Sequence, residues 1–226
     1  MVQLADIIQG LEQWKNGKAV ILSGLEEGNN FCSGMDLHTA NSLDKPIAGA
    51  MMCIFMQNTL SRLQRLPLIS VAAILGKAVG AGAELTTACD FRLMTEGAQI
   101  WFIQSRMGVT PGLGGGTRLV GITGPRVALK ILTSGVGVKG DDAFKIGLAD
   151  HLLPSNVNMI KYTKDWMETY TFAPSDVVQS IKSVVTAADE LPLDLALSRE
   201  KDIFAGLWGG PSQKAAFAKA SQVSKE

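Results

Sequence analysis

Apolar residues at Leu4, Ile7, Ile8, Leu11 and Trp14 recur every three or four positions, so the sequence opens inside an amphipathic helix. The spacing then changes. Residues 18–24, KAVILSG, form a short apolar run that predicts a buried strand, and the loop LEEGNNFCSGMDL follows it. Pro46 suits a first helical turn and starts a long helix through about Leu66. Residues 65–75, RLPLISVAAIL, are apolar and β-branched and predict a second buried strand. Directly after it, GKAVGAGAELTTACDF sets glycines and alanines around one acid, Glu84, and opens a helix. CDFRLMT and QIWFIQ predict short strands, GVTPGLGGGT a glycine-rich turn, and Pro125–Ser134 another helix. Strand, loop and helix in alternation mark an α/β chain. From about Ser155 the pattern is helical only, in NMIKYTKDWMETY, APSDVVQSIKSVVTAA, LPLDLALSREKDIFAGLW and an Ala/Lys-rich end. That tail is expected to be a helical subdomain or an oligomer contact.

Composition narrows the classes. A chain of 226 residues with 46% apolar content buries a full core, roughly 70% of its unfolded surface. Basic and acidic residues balance at 21 each, and no basic cluster interleaves with aromatics, which argues against nucleic acid as a partner. Cys32, Cys53 and Cys89 are scattered without a CxxC, as expected of reduced thiols and not of a disulfide frame or zinc site. The only histidines, His38 and His151, stand in unrelated contexts, so no metal is expected and each is read as a surface or loop residue. The longest apolar runs fall short of the ~18 residues that span a bilayer, so no membrane partner is expected. MVQLADIIQG has no Lys or Arg, and the final SKE is not the peroxisomal SKL, so no targeting segment is expected and the cytosol is the expected compartment.

Several candidate motifs fall short. Gly80 and Gly82 form GxG, but Leu85 stands at the third position of the dinucleotide fingerprint, and GVTPGLGGGT lacks the phosphate-loop lysine. Its glycines read as a turn that permits close packing. FCSGMDL is not a hydrolase elbow, because Phe31 replaces the first glycine, so Ser33 is not expected to be a nucleophile. An acid in a first helical turn is often only a dipole partner. The joint pattern says more for Glu84. A loop ending in SGMD after one strand, and GAGAE after the next, bring two backbone N–H groups together at the C-terminal edge of a parallel sheet. Such a pair holds a carbonyl oxygen on which negative charge develops.

FCSGMDL, GKAVGAGAELTTACDFRLMT, MGVTPGLGGGTRL and DDAFKIGLADHLLP resemble, in order and spacing, the enoyl-CoA hydratase/isomerase (crotonase) superfamily, over most of the chain. FMQNTLSRLQRLPLISVA, TTACDFRLMT, ALKILTSG and LWGGP look most like the branch of it that removes CO₂ from ethylmalonyl-CoA and methylmalonyl-CoA. The resemblance implies an α/β crotonase-like ββα superhelix, or spiral, with a C-terminal helical region. Residues 1–154 would form the core and 155–226 a helical oligomerisation region, in a homotrimer or hexamer. The substrate would be a CoA thioester, with no cofactor because CoA is part of the substrate. The backbone N–H groups of Met35 and Ala81 would form the oxyanion hole. Ser33, Gly34, Leu37 and His38 would line the CoA path. Glu84 would stand near the α-carbon as proton donor or neutral wall.

The sequence departs from that pattern in three places. Ala81 stands where the family usually has Gly, and its methyl narrows the hole. Arg106 stands where the second family acid belongs; two carboxylates around one water serve hydration, so a guanidinium argues against a hydratase. Arg106 is expected either to recognise the substrate carboxylate or to face solvent. The chain also begins in a helix where family members have a strand and turn, so a shortened form is expected, without an edge hairpin and one wall of the CoA site. The readings left open are another enoyl-CoA hydratase or isomerase reaction, and an inactive paralogue or isoform that binds acyl-CoA.

Overall fold

The computed structural model of the protein describes residues 1–25, 28–155 and 157–223. Glu26 and Glu27 of the predicted loop, and the terminal residues 224–226, lie outside the described residues. Helix α1 (Val2–Glu12) buries Ile8 and leads to strand β1 (Ala19–Ser23). After the loop come α2 (Leu37–Ser42), capped by the Asp36 carboxylate on the Thr39 N–H, and α3 (Pro46–Arg65), with Pro46 in its first turn. Strand β2 (Ile69–Ile74), strand β3 (Lys77–Val79) and helix α4 (Ala81–Thr86) form one strand–strand–helix unit. Strands β4 (Phe91–Thr95) and β5 (Gln99–Trp101), a 3₁₀ turn at Gln104–Met107, and helices α5 (Gly115–Thr123) and α6 (Pro125–Ser134) form the next. Strand β6 (Val138–Lys139), α7 (Gly140–Lys145) and β7 (His151–Leu153) complete the sheets. Four helices end the chain: α8 (Met159–Thr171), α9 (Ser175–Glu190), α10 (Leu193–Leu207) and α11 (Pro211–Val223).

The first sheet is all parallel, in the order β1-β2-β4-β7, and the second runs β3-β5-β6 with β6 antiparallel. The chain twice leaves the first sheet for the second, from β2 to β3 and from β4 to β5. This is the repeated ββα course that the family resemblance implies. Strand β2 is buried on both faces, as its apolar run predicts. Ala72 and Ile74 enter the main core, and Val71 and Ala73 enter a second cluster with Leu93, Leu153, Met159 and Met167. The first helix of the C-terminal tail therefore covers the sheet.

Four local expectations are corrected. Residues 18–24 do not form a buried strand: among the described residues β1 pairs with β2 alone, in register Ala19↔Ile69, and its residues are half-buried or exposed. Burial of a strand depends on a partner on each edge, which its own residues do not specify. GKAV does not open the helix but forms β3, and α5 begins inside the stretch read as a turn. His151 is neither a surface nor a loop residue. It is half-buried on β7, with its Nε2 3.2 Å from the Tyr162 hydroxyl, whereas His38 is exposed on α2.

Buried charges tie these layers together. The Arg92 guanidinium, 4% exposed, donates to the carbonyls of Leu148, Cys89 and Asp90 and to the Asp150 carboxylate, which also accepts from the Arg92 N–H. Asp90 in turn accepts from the Ser70 N–H and hydroxyl and pairs with Lys182 of α9. The motif CDFR thus fastens β4 to β2, to β7 and to the helical tail. Among the described residues no helix is long and apolar enough to cross a membrane.

Arg92 is buried while Asp150 is 30% exposed, so removing the guanidinium strands the Leu148, Cys89 and Asp90 carbonyls it serves, and Arg92→Ala should lower the unfolding free energy by about 3 kcal/mol, read by urea denaturation. Burial pushes the Cys89 thiol up to about 12. Since the thiolate is the reacting species, iodoacetamide at about pH 8 should label the half-buried Cys32 and Cys53 of the native protein, and Cys89 only after unfolding. Peptide mapping by mass spectrometry checks this.

Candidate active site

The loop at residues 31–35 runs alongside β3. Phe31 and Cys32 donate their N–H groups to the Lys77 carbonyl, and the Val79 N–H donates to the Cys32 carbonyl at 2.8 Å. The approach is close enough to exclude side chains. A methyl built on Gly34 (φ +101°) would stand 2.9 Å from the Val79 carbonyl oxygen and 3.8 Å from the Ala81 nitrogen. One built on Gly82 would meet the Cys32 carbonyl oxygen at 2.5 Å. Residue 35 is thereby held beside the first residue of α4.

The start of α4 leaves N–H groups over. Its first internal bond is from Glu84 N–H to the Gly80 carbonyl, so the N–H of Ala81 precedes the helical ladder. Among the described residues, neither the Ala81 nor the Met35 N–H donates to a protein acceptor. Both residues line a cavity of about 320 Å³. Met52, Met56 and Leu60 of α3, with Leu85, Leu113 and Leu4, give it apolar walls, and Cys32, Asp36 and Thr39 stand at the loop side. Among the described residues Asp36 is the one carboxylate on this lining; hydrogen bonds from the Thr39 N–H and hydroxyl hold it below the usual carboxylate range. Another hollow of about 390 Å³ lies against α9, but the two charged residues on its lining, Asp90 and Lys182, are bonded to each other.

The structure brings Gly34, Met35 and Ala81 together on the cavity and sets the other expected site residues apart from it. Ser33, Leu37 and His38 are exposed on the same loop and on α2, and are not among the lining residues. Arg106 is exposed on the 3₁₀ turn, with its Nε donating to the Gly135 carbonyl at 2.6 Å. That carbonyl, next to the C-terminus of α6, also accepts from the Trp101 indole. Arg106 thus supports a helix end and is not a lining residue. Glu84, 2% exposed, lies behind Ala81, and its carboxylate faces away toward the residue 112–115 segment. The α3 wall was absent from the candidates drawn from the sequence. Its four-residue stripe, Met52, Met56, Leu60, was the available signal.

The sequence profile of the Enoyl-CoA hydratase/isomerase family matches residues 1–217. The ethylmalonyl-CoA decarboxylase of Gallus gallus is 48% identical over 221 residues, which make up 97% of this chain and 74% of that protein. That of Xenopus tropicalis is 48% identical over 223 residues, 98% of this chain and 74% of its own. The crystal structure of an enoyl-CoA hydratase from Bacillus anthracis superposes with a TM-score of 0.89 at 24% identity, covering 98% of this chain and 84% of that one. Two main-chain donors beside an apolar cavity, the repeated ββα course and a match along nearly the whole length together show that this chain belongs to the enoyl-CoA hydratase/isomerase family.

Proposed function

We propose that the chain is a carboxy-lyase acting on ethylmalonyl-CoA and methylmalonyl-CoA, with the thioester oxygen bound by the N–H groups of Met35 and Ala81. The observation that carries this reading is the convergence of those unengaged donors on an apolar cavity. Relatives at 48% identity that bear the name ethylmalonyl-CoA decarboxylase support it. In the reaction the bond between the α-carbon and the carboxylate carbon breaks. Its electron pair forms the double bond to the carbonyl carbon, the carbonyl π pair moves onto oxygen, and CO₂ leaves. A proton then adds at the α-carbon to give the acyl-CoA. Charge grows on the thioester oxygen during the first step, so donors fixed there act on the transition state.

The walls assist by what they withhold. Among the described residues lining the cavity there is no Lys or Arg side chain. A substrate carboxylate held by an arginine fork is stabilised before it leaves, which slows its loss. Arg106, engaged on Gly135, is read as support for α6 and not as a holder of that carboxylate. Hydration uses two carboxylates around one water, and among the described residues lining the cavity there is one, Asp36.

We also infer self-association as a homotrimer or hexamer, supported by the exposure of Leu193 (72%), Phe204 (58%) and Trp208 (63%) on and beside α10. Cytosolic action is inferred too, supported by three free thiols.

Ala81 is the first residue of α4, where proline is tolerated, so Ala81→Pro removes the donor while sparing the helix. Its decarboxylation of ethylmalonyl-CoA, followed by mass spectrometry of the product, should fall by about 10²-fold or more, and Met35→Leu should stay within about threefold. Full activity in the proline variant would remove the oxyanion assignment. Light scattering at micromolar concentration should give a mass above the 24.0 kDa of one chain; a monomer would contradict the inferred assembly.

A further inference from the structure

Glu84 makes more hydrogen bonds than a proton carrier can spare. Its Oε1 accepts from the Gln104 amide at 3.0 Å and from the Gly112 N–H at 3.4 Å. Its Oε2 accepts from the Leu113 N–H at 2.8 Å and the Gly115 N–H at 2.9 Å. An ionised carboxylate offers about four lone-pair directions, and here each oxygen has two donors. Carrying a proton would require surrendering one of these bonds inside a site that is 2% exposed. Glu84 is also absent from the cavity lining, whereas Leu113, whose N–H it holds, is one of the lining residues. The same segment is gripped from its other side. Arg118 donates to the Leu113 carbonyl at 2.9 Å and to the Thr87 hydroxyl, which donates to the Glu84 carbonyl at 2.6 Å. Gly115 admits the contact, since a methyl there would lie 2.4 Å from the Glu84 Cγ.

We propose that Glu84 is a positioning residue: its carboxylate anchors residues 112–115 and so sets Leu113 as the wall of the acyl cavity, and the proton that reaches the α-carbon comes from water. Only the source of the proton rests on the decarboxylase reading. The anchoring concerns this chain's own contacts and is tested without turnover.

Gln104 makes a discriminating substitution available. Its Oε1 is buried and has no partner among the described residues. In Glu84→Gln, the new amide oxygen can keep the Leu113 and Gly115 donors, while its NH₂ faces Gln104 and gives up only the long 3.4 Å bond from the Gly112 N–H. Rotating the Gln104 amide then supplies the acceptor. This variant therefore preserves the anchor and removes the acid. Glu84→Ala removes both, and Gly115→Ala keeps the acid but displaces it.

Three readouts should be taken on the full chain: hydrogen exchange at residues 112–115, butyryl-CoA affinity by calorimetry, and the pH–rate profile with ethylmalonyl-CoA. Glu84→Ala and Gly115→Ala should speed exchange and weaken butyryl-CoA by about tenfold each, the loss expected for charged hydrogen bonds. Glu84→Gln should hold both within about threefold, lose no more than about threefold in kcat, and keep the shape of the profile. A loss in Glu84→Gln of about 10²-fold or more in kcat, with exchange and affinity intact, would make Glu84 the acid and overturn the proposal. Unchanged exchange in Gly115→Ala would overturn the anchor, even if Glu84→Ala fails to fold. A wild type that binds butyryl-CoA yet releases no CO₂ would sink the decarboxylase reading, leaving exchange and affinity to decide the anchoring.

Discussion

Two segments of main chain, residues 32–35 and 79–82, run so close that neither Gly34 nor Gly82 has room for a side chain, and the rest of the site follows from that contact. It carries Met35 to the start of α4, where Ala81 already has an N–H outside the helical ladder. It also directs the chain from the 32–35 loop into α2 and α3, whose methionines close the cavity. A catalytic arrangement built this way depends on the path of the backbone more than on any reactive side chain.

The path is held by polar groups arranged around two buried cations, Arg92 and Lys182, and one buried acid, Glu84. Arg92 with Asp150, and Asp90 with Ser70 and Lys182, fix the parallel strands and the first tail helices. Glu84 performs a similar task one layer further in, against α5. Each is surrounded by donors or acceptors enough to meet its needs, which is the condition under which a charge is tolerated in a core. The molecule therefore uses its buried charges to locate segments of chain.

Legibility in the sequence follows the range of the interactions. Apolar spacing reveals α1, the helical pattern reveals the tail, prolines mark the starts of α3 and α6, and the β-branched run reveals β2, because those signals lie within the elements. Strand β3 has three residues between Gly76 and Gly80, too few to show a period. The edge status of β1 depends on which neighbours arrive. The family resemblance assigns Met35 and Ala81 through motifs in two loops, but their convergence needs β3 to run beside residue 32. Glu84 was visible as an unusual acid, while its donors come from residues 104–115, so its orientation could not be read locally. Arg106 was noticed for the acid it replaces. Its direction is set by a carbonyl 29 residues further along.

An oxyanion site made from peptide N–H groups has a particular relation to the genetic code. A single base change at codon 35 or 81 exchanges the side chain and leaves the donor in place, unless the new codon reads proline. Loss of the donors calls for that one amino acid, or for an insertion or deletion that shifts the loop. The chemistry is thereby buffered against point mutation where it acts. The vulnerability is transferred to Gly34 and Gly82, where almost any missense change puts atoms into a space that has none to give.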